Sequence, residues 1–186
     1  WIMSLFFRHA FVLTVAVCAS TAVSAQTART WSGPSGGDFA TAANWGGTAP
    51  ANSLTTNYAL FTGGNVNQAI LSASRSIAGL EFAATATAGS ISYSNAPVLT
   101  LGAYGIRNLA SNNYTMDLSV PLALGANSTF TNSGDLWISG ALNLSTRTLT
   151  LTGTSTWWGR FNGVVSGTGG IVINHTGTGG WILNGN

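Results

Sequence analysis

The sequence predicts an all-β protein built as a parallel β-solenoid, with a β-sandwich as the alternative. Three observations point there. From about Tyr58 onward, short runs of Val, Ile, Leu, Thr and aromatic residues are separated by Gly, Asn and Ser, which reads as strands of four to six residues. No apolar spacing of three and four persists long enough for a helix. Near the end, GTGGIVINHT beginning at Gly167 is followed directly by the similar GTGGWILNGN beginning at Gly177. Alternation such as Thr148-Leu-Thr-Leu-Thr152 fits one buried and one solvated face in either architecture. Repetition of strand and turn without helices favours the solenoid, in which coils stack through backbone hydrogen bonds and charge on the outside is dispensable.

At the N-terminus, Met3 to Ala25 carries a cationic Arg8, an apolar run from Ala10 to Val17 and small residues ending Val23-Ser24-Ala25. This is the anatomy of an export signal, expected over residues 1–25 with cleavage after Ala25. The apolar run is shorter than the roughly 20 residues needed to cross a hydrocarbon core. Cys18 is preceded by Val17 rather than a small residue, which argues against lipidation, and as the only cysteine it leaves the exported chain without a disulfide. The chain opens Trp1-Ile2 before its first Met and stops at Asn186 just after a glycine turn, so it reads as a piece of a longer protein.

Residues 26–57 are expected to form an N-terminal cap region. Within it, Trp31 to Trp45 reads WSGPSGGDFATAANW, two tryptophans bracketing a glycine-rich turn. Residues 58–186 are expected to be the strand-repeat solenoid, truncated at its C-terminal end. Its strands repeatedly close on glycine, as in Leu99-Thr-Leu-Gly102, Leu122-Ala-Leu-Gly125, Trp137-Ile-Ser-Gly140 and Val164-Val-Ser-Gly167, because glycine takes tight corners without steric cost.

Composition narrows the function. Charged residues make up 5% of the chain against roughly 25% in an average soluble domain. There is no lysine, and the acids are Asp38, Glu81, Asp117 and Asp135. The pI of 9.1 rests on scattered arginines: Arg29, Arg75, Arg107, Arg147 and Arg160 stand singly once the signal is removed. A partner of nucleic acid, which demands clustered Lys and Arg, is not expected.

The stretch Gly163 to Asn186, GVVSGTGGIVINHTGTGGWILNGN, resembles the autotransporter-associated β-strand repeat, whose usual form runs G-x-I-S-G-x-G-G-L-x-K-x-G-x-G-T-L-x-L-x-G-x-N. Gly163, Ser166, Gly167, Gly169, Gly170, Gly177, Gly179, Leu183 and Gly185 fall on the family's positions. The segment Ile171 to Thr176 is about two residues longer than usual and lacks the common lysine, and Gly180-Trp181 replaces the usual threonine and leucine. The opening WSG…ANW and the stretch Ser119 to Gly140 are similar to such proteins in composition. The resemblance implies a right-handed parallel β-helix passenger exposed on a bacterial surface, at the outer membrane or outside the cell. It would precede a β-barrel or another C-terminal sorting device that supplies any membrane attachment and is not within these residues. The family has no common active site, so no catalytic residue carries over.

No residue pattern in the sequence builds a complete catalytic site. Gly33-Pro-Ser-Gly-Gly37 fits the G-x-S-x-G pattern, but a nucleophile elbow needs a strand before the serine and a helix after it, and only His175 would remain as a base. Asp117 and Asp135, 18 residues apart, could stack on successive coils as a carboxylate pair, which is the carbohydrate-active alternative. GTGGIVINHT lacks the aspartate of calcium-binding nonapeptide repeats, so no metal and no cofactor are expected. Adjacent Trp157 and Trp158 should point to opposite faces of a strand, leaving one outside with Arg160 nearby as a candidate glycan contact. The leading expectation is a secreted or cell-surface structural or adhesive passenger without enzymatic activity. Its partner is an unidentified surface or matrix glycan or protein, and its uncapped last coil favours self-association.

Overall fold

A computed structural model describes residues 25–63, 66–87, 89–111 and 115–185; the expected signal over residues 1–25, with Cys18, lies outside them save for Ala25. In chain order the strands are β1 (Thr27–Thr30), β2 (Gly37–Asp38), β3 (Asn57–Phe61), β4 (Val66–Leu71), β5 (Arg75–Phe82), β6 (Gly89–Tyr93), β7 (Leu99–Asn108), β8 (Thr115–Leu118), β9 (Leu122–Leu124), β10 (Ser128–Asn132), β11 (Asp135–Ile138), β12 (Leu142–Asn143), β13 (Leu149–Gly153), β14 (Trp158–Phe161), β15 (Val165–Ser166), β16 (Ile171–His175) and β17 (Gly180–Leu183). The helical element among the described residues is one short 3-10 turn, Ala42–Trp45.

Every strand pairing is parallel. That excludes the β-sandwich alternative, whose strands pair antiparallel, and makes the chain a β-solenoid. The first face stacks β1, β3, β5, β7, β10, β13 and β16, and the second stacks β2, β4, β6, β8, β11, β14 and β17. The third face is made by the N-terminal parts of β5 and β7 followed by β9, β12 and β15. Stacked partners lie one coil apart in sequence: Ser128 opposes Leu149, Leu149 opposes Ile171 and Leu136 opposes Gly159. The two similar decapeptides are therefore not stacked on each other. They supply β16 and β17, successive sides of a single coil.

Alternation along each strand sends one set of side chains into continuous columns. Ala59, Leu80, Ile106, Phe130 and Leu151 are in register on the first face, and Ala69, Ile91, Leu118, Ile138 and Phe161 on the second, all fully buried. Each leucine, isoleucine or phenylalanine so enclosed contributes about 1.5–3 kcal/mol. β5 and β7 exceed the expected four to six residues because each turns from the third face to the first without a loop, shifting register between Ile77 and Gly79. Gly102, expected to close a strand, lies inside β7.

At the N-terminal end, Trp45 packs edge to face against Trp31, Phe39 and Phe61, with ring centroids 4.9 Å apart for Trp31 and 4.8 Å for Phe39. The Trp45 indole N–H donates to the Phe39 carbonyl at 2.7 Å. Residues 26–57 thus hold this aromatic cluster together with β1 and β2, the first strands of the first two faces. No helix among the described residues is long and apolar enough to cross a membrane.

Candidate functional site

The outward side of the second face gathers most of the residues singled out in the sequence. The register places Ser90, Asp117, Trp137, Arg160 and Ile182 in one outward column. Thr115 opposes Asp135, and Trp158 opposes Gly180, in the column beside it. Each residue of a column sits opposite the one in the next rung.

Trp157 and Trp158 are both exposed, at 41% and 40%. The expectation that they point to opposite faces is corrected: Trp157 lies in the bend before β14, where strand alternation does not operate, so neither indole is forced inward. The backbone N–H of Trp157 donates to the hydroxyl of buried Ser155 at 2.8 Å, and that hydroxyl donates to the Gly134 carbonyl at 3.2 Å, which ties the bend to the coil beneath. Trp158 and Arg160, two residues apart on β14, share the outward side. Arg160 lies over the Trp137 ring, its guanidinium carbon 5.3 Å from the centroid, a cation–π contact between neighbouring rungs.

In the sequence Trp137 stands out only as the start of Trp137-Ile-Ser-Gly140; the signal for a site role is the Asp135-x-Trp137 alternation one coil before Trp158-x-Arg160. Its indole N–H donates to Asp135 Oδ2 at 3.0 Å, and Thr115 Oγ1 donates to the same oxygen at 3.2 Å. Asp135 is only 9% exposed and its other oxygen, Oδ1, is buried without a partner; Arg160 Nε is buried without one too. Asp117 accepts from Ser139 Oγ at 2.6 Å. Asp117 and Asp135 do share one face on neighbouring rungs, but the residue opposite Asp117 is Trp137, so the carboxylates are diagonal rather than aligned. A separation of one strand spacing and two residues puts their Cα atoms about 8 Å apart.

Other candidates disperse. Ser35 sits in a turn followed by the two-residue β2 rather than a helix, which removes the elbow geometry. His175 is on the first face, its Nε2 3.2 Å from the Ser155 carbonyl. Among the described residues no group of three or more His, Cys, Asp and Glu could hold a metal ion.

A second polar cluster lies outside the first face. Arg107 pairs with Glu81 at 3.1 Å, Tyr104 hydrogen-bonds to Glu81, and Arg107 donates to the Tyr104 hydroxyl at 3.1 Å. Burial, then the bond to Glu81, raises the Tyr104 phenol above its ordinary range, and the bond to Tyr104 raises Arg107. Its members satisfy one another, so it braces strands β5 and β7 and offers little to a ligand.

No protein-family model matches the chain, and neither a curated protein nor a solved structure matches it.

Proposed function

We propose that this chain is part of an exported surface protein of the autotransporter passenger kind, a structural or adhesive stalk that works by extension and contact and carries no catalysis. The observation that supports this reading is the architecture itself. A stack of seven rungs on each of two faces, buried along apolar columns and clothed mainly in Thr, Ser, Asn and Gly, grows along one axis and presents long, nearly neutral sides. The export signal read in residues 1–25 and the glycine pattern of residues 163–186 agree with it. The test is made on the full-length protein in its own cells: the exported chain should begin at Gln26 by N-terminal sequencing and be cut by protease added to intact cells. A chain that keeps residues 1–25 and is protected inside the cell overturns the reading.

A carbohydrate-active reading is kept by one observation, that Asp117 and Asp135 face the same way on neighbouring rungs, and glycosidases work with a pair of carboxyl groups. Release of reducing ends from polysaccharide, abolished in both Asp117→Asn and Asp135→Asn, would establish it. Absence of release across neutral and acidic polysaccharides would remove it.

A further inference from the structure

We infer that the outward side of the second face, centred on Trp158, is a binding platform for neutral β-linked pyranose chains, polymers whose equatorial substituents leave flat C–H faces.

The first ground is the attitude of the Trp158 ring. A Cβ at Gly180, on the next rung, would lie 3.0, 3.5 and 3.8 Å from three atoms of its six-membered ring. The six-membered ring of the indole therefore sits against the position that Gly180 leaves without a side chain, and Trp158 remains 40% exposed. A large apolar ring held open in this way contrasts with Trp31 and Trp45, which are 7% and 4% exposed. Beside it Trp157 adds a second exposed indole, its backbone N–H tied to the hydroxyl of buried Ser155. Flat aromatic faces are what the C–H face of a pyranose stacks on, and they hold it at low entropic cost because an indole has few rotatable bonds.

The second ground is the polar frame beside the rings. Asp117 and Arg160 stand in the column beside Trp158, Arg160 lying over the Trp137 ring, while Asp135, held by the Trp137 indole N–H and the Thr115 hydroxyl, fixes that ring in place. A sugar hydroxyl both donates and accepts, so one kind of group can serve a carboxylate and a guanidinium alike. The local charge, two carboxylates against one arginine, disfavours uronate-rich polymers and selects neutral ones. Because these groups lie along the side of a stack of rungs, they suit the side of an extended chain rather than its end.

The experiment is affinity electrophoresis of the full chain through gels containing hydroxyethylcellulose, laminarin or glycol chitin, with tryptophan emission recorded on adding each. The expected result is retardation by at least one polymer with quenched emission. Retardation should fall about tenfold in Trp158→Ala, fall also in Gly180→Val, which props up the ring, and be kept in Trp158→Tyr. Far-UV circular dichroism matching the parent shows that the variants fold. Retardation by none of the three polymers overturns the inference and leaves the indoles to a protein partner. Retardation that survives in the Trp157→Ala, Trp158→Ala double variant overturns it as well. The measurement is made on purified protein, so it stands or falls separately from the export test.

Discussion

Tyr58 on β3 and Tyr104 on β7 stack nearly parallel, with ring centroids 4.2 Å apart at 11°, although β5 runs between their strands. They meet because the residue opposite Tyr58 is Gly79, whose missing side chain leaves the gap both rings fill. A Cβ there would strike the Gly105 carbonyl oxygen and come within 2.8 Å of Tyr104 Cδ1. Gly79→Ala should therefore destabilise by about 1–3 kcal/mol through overpacking, more than the roughly 0.5–1.5 kcal/mol expected for the stacking itself. Urea unfolding checks it: the midpoint should fall with the slope unchanged. A Gly79→Ala protein as stable as the parent would mean that the gap is not required.

The same tyrosine gives the fold a pH limit. Tyr104 has its pKa raised from an ordinary 10.0, first by burial and next by its bond to Glu81. Below pH 10 it is neutral folded and unfolded alike, and that protonated state is the one the fold holds. Above its ordinary value the unfolded chain releases the proton while the folded chain resists, so stability drains away as pH rises beyond about 10. Tyr104→Phe should flatten that alkaline decline relative to the parent. Thermal unfolding followed from pH 8 upward reads the difference, and identical slopes would show that Tyr104 does not contribute to it.

The solenoid was legible because its signals are local. Thr148 to Thr152 alternates as the sequence reads, and Leu149 and Leu151 enter the core while Thr150 and Thr152 face out. The decapeptide repeat pointed to the right architecture for an indirect reason: its period belongs to successive sides of one coil, whereas stacking runs over longer, uneven steps. Uneven steps are what the sequence cannot display. They come from corner geometry such as the register shift in β5 and β7, and they decide that Trp137, not Asp135, opposes Asp117. Hence Trp157, Trp158 and Arg160 could be named as neighbours from the chain alone, whereas Trp137 and Asp135 join them only through pairing across coils. Trp157 was misplaced because alternation was extended one residue past the start of β14.

A buried amide pair at one corner offers a sharper test of the interior. Asn108 Nδ2 donates to Asn132 Oδ1 at 3.1 Å, both side chains fully buried, and the same Oδ1 accepts the Gly134 N–H at 3.3 Å. Asn132→Ala removes an acceptor from two buried donors and should cost about 1–3 kcal/mol. On the adjacent outward position, Thr131 exchanges a 3.1 Å hydroxyl bond with Thr152; Thr131→Ala should stay within about 0.5 kcal/mol. Urea midpoints of the two variants should differ accordingly, and equal midpoints would show that the corner amides contribute no more than surface hydroxyls.

The two ends of the first-face column differ in kind. Arg29 stands in register over Ala59 at one end, and Ile173 over Leu151 at the other. Leu151 is fully buried but Ile173 is 57% exposed, and on the second face Phe161 is fully buried but Leu183 is 49% exposed. In a polypeptide of residues 26–186, β16 and β17 are strand edges with open apolar columns beneath them, and the near-neutral surface around them supplies little repulsion. Charge at the inward position, as Arg29 has, blunts such an edge; an isoleucine invites a second copy onto it. Hydrogen exchange at low concentration should be fastest over Ile171 to His175 and Gly180 to Leu183 and slowest over the central rungs. Raising the concentration should slow exchange in those two strands selectively while sedimentation shows larger species. Ile173→Arg should abolish both effects and leave the central rungs protected. Uniform protection in a strictly monomeric chain would show instead that the last rung closes on its own residues.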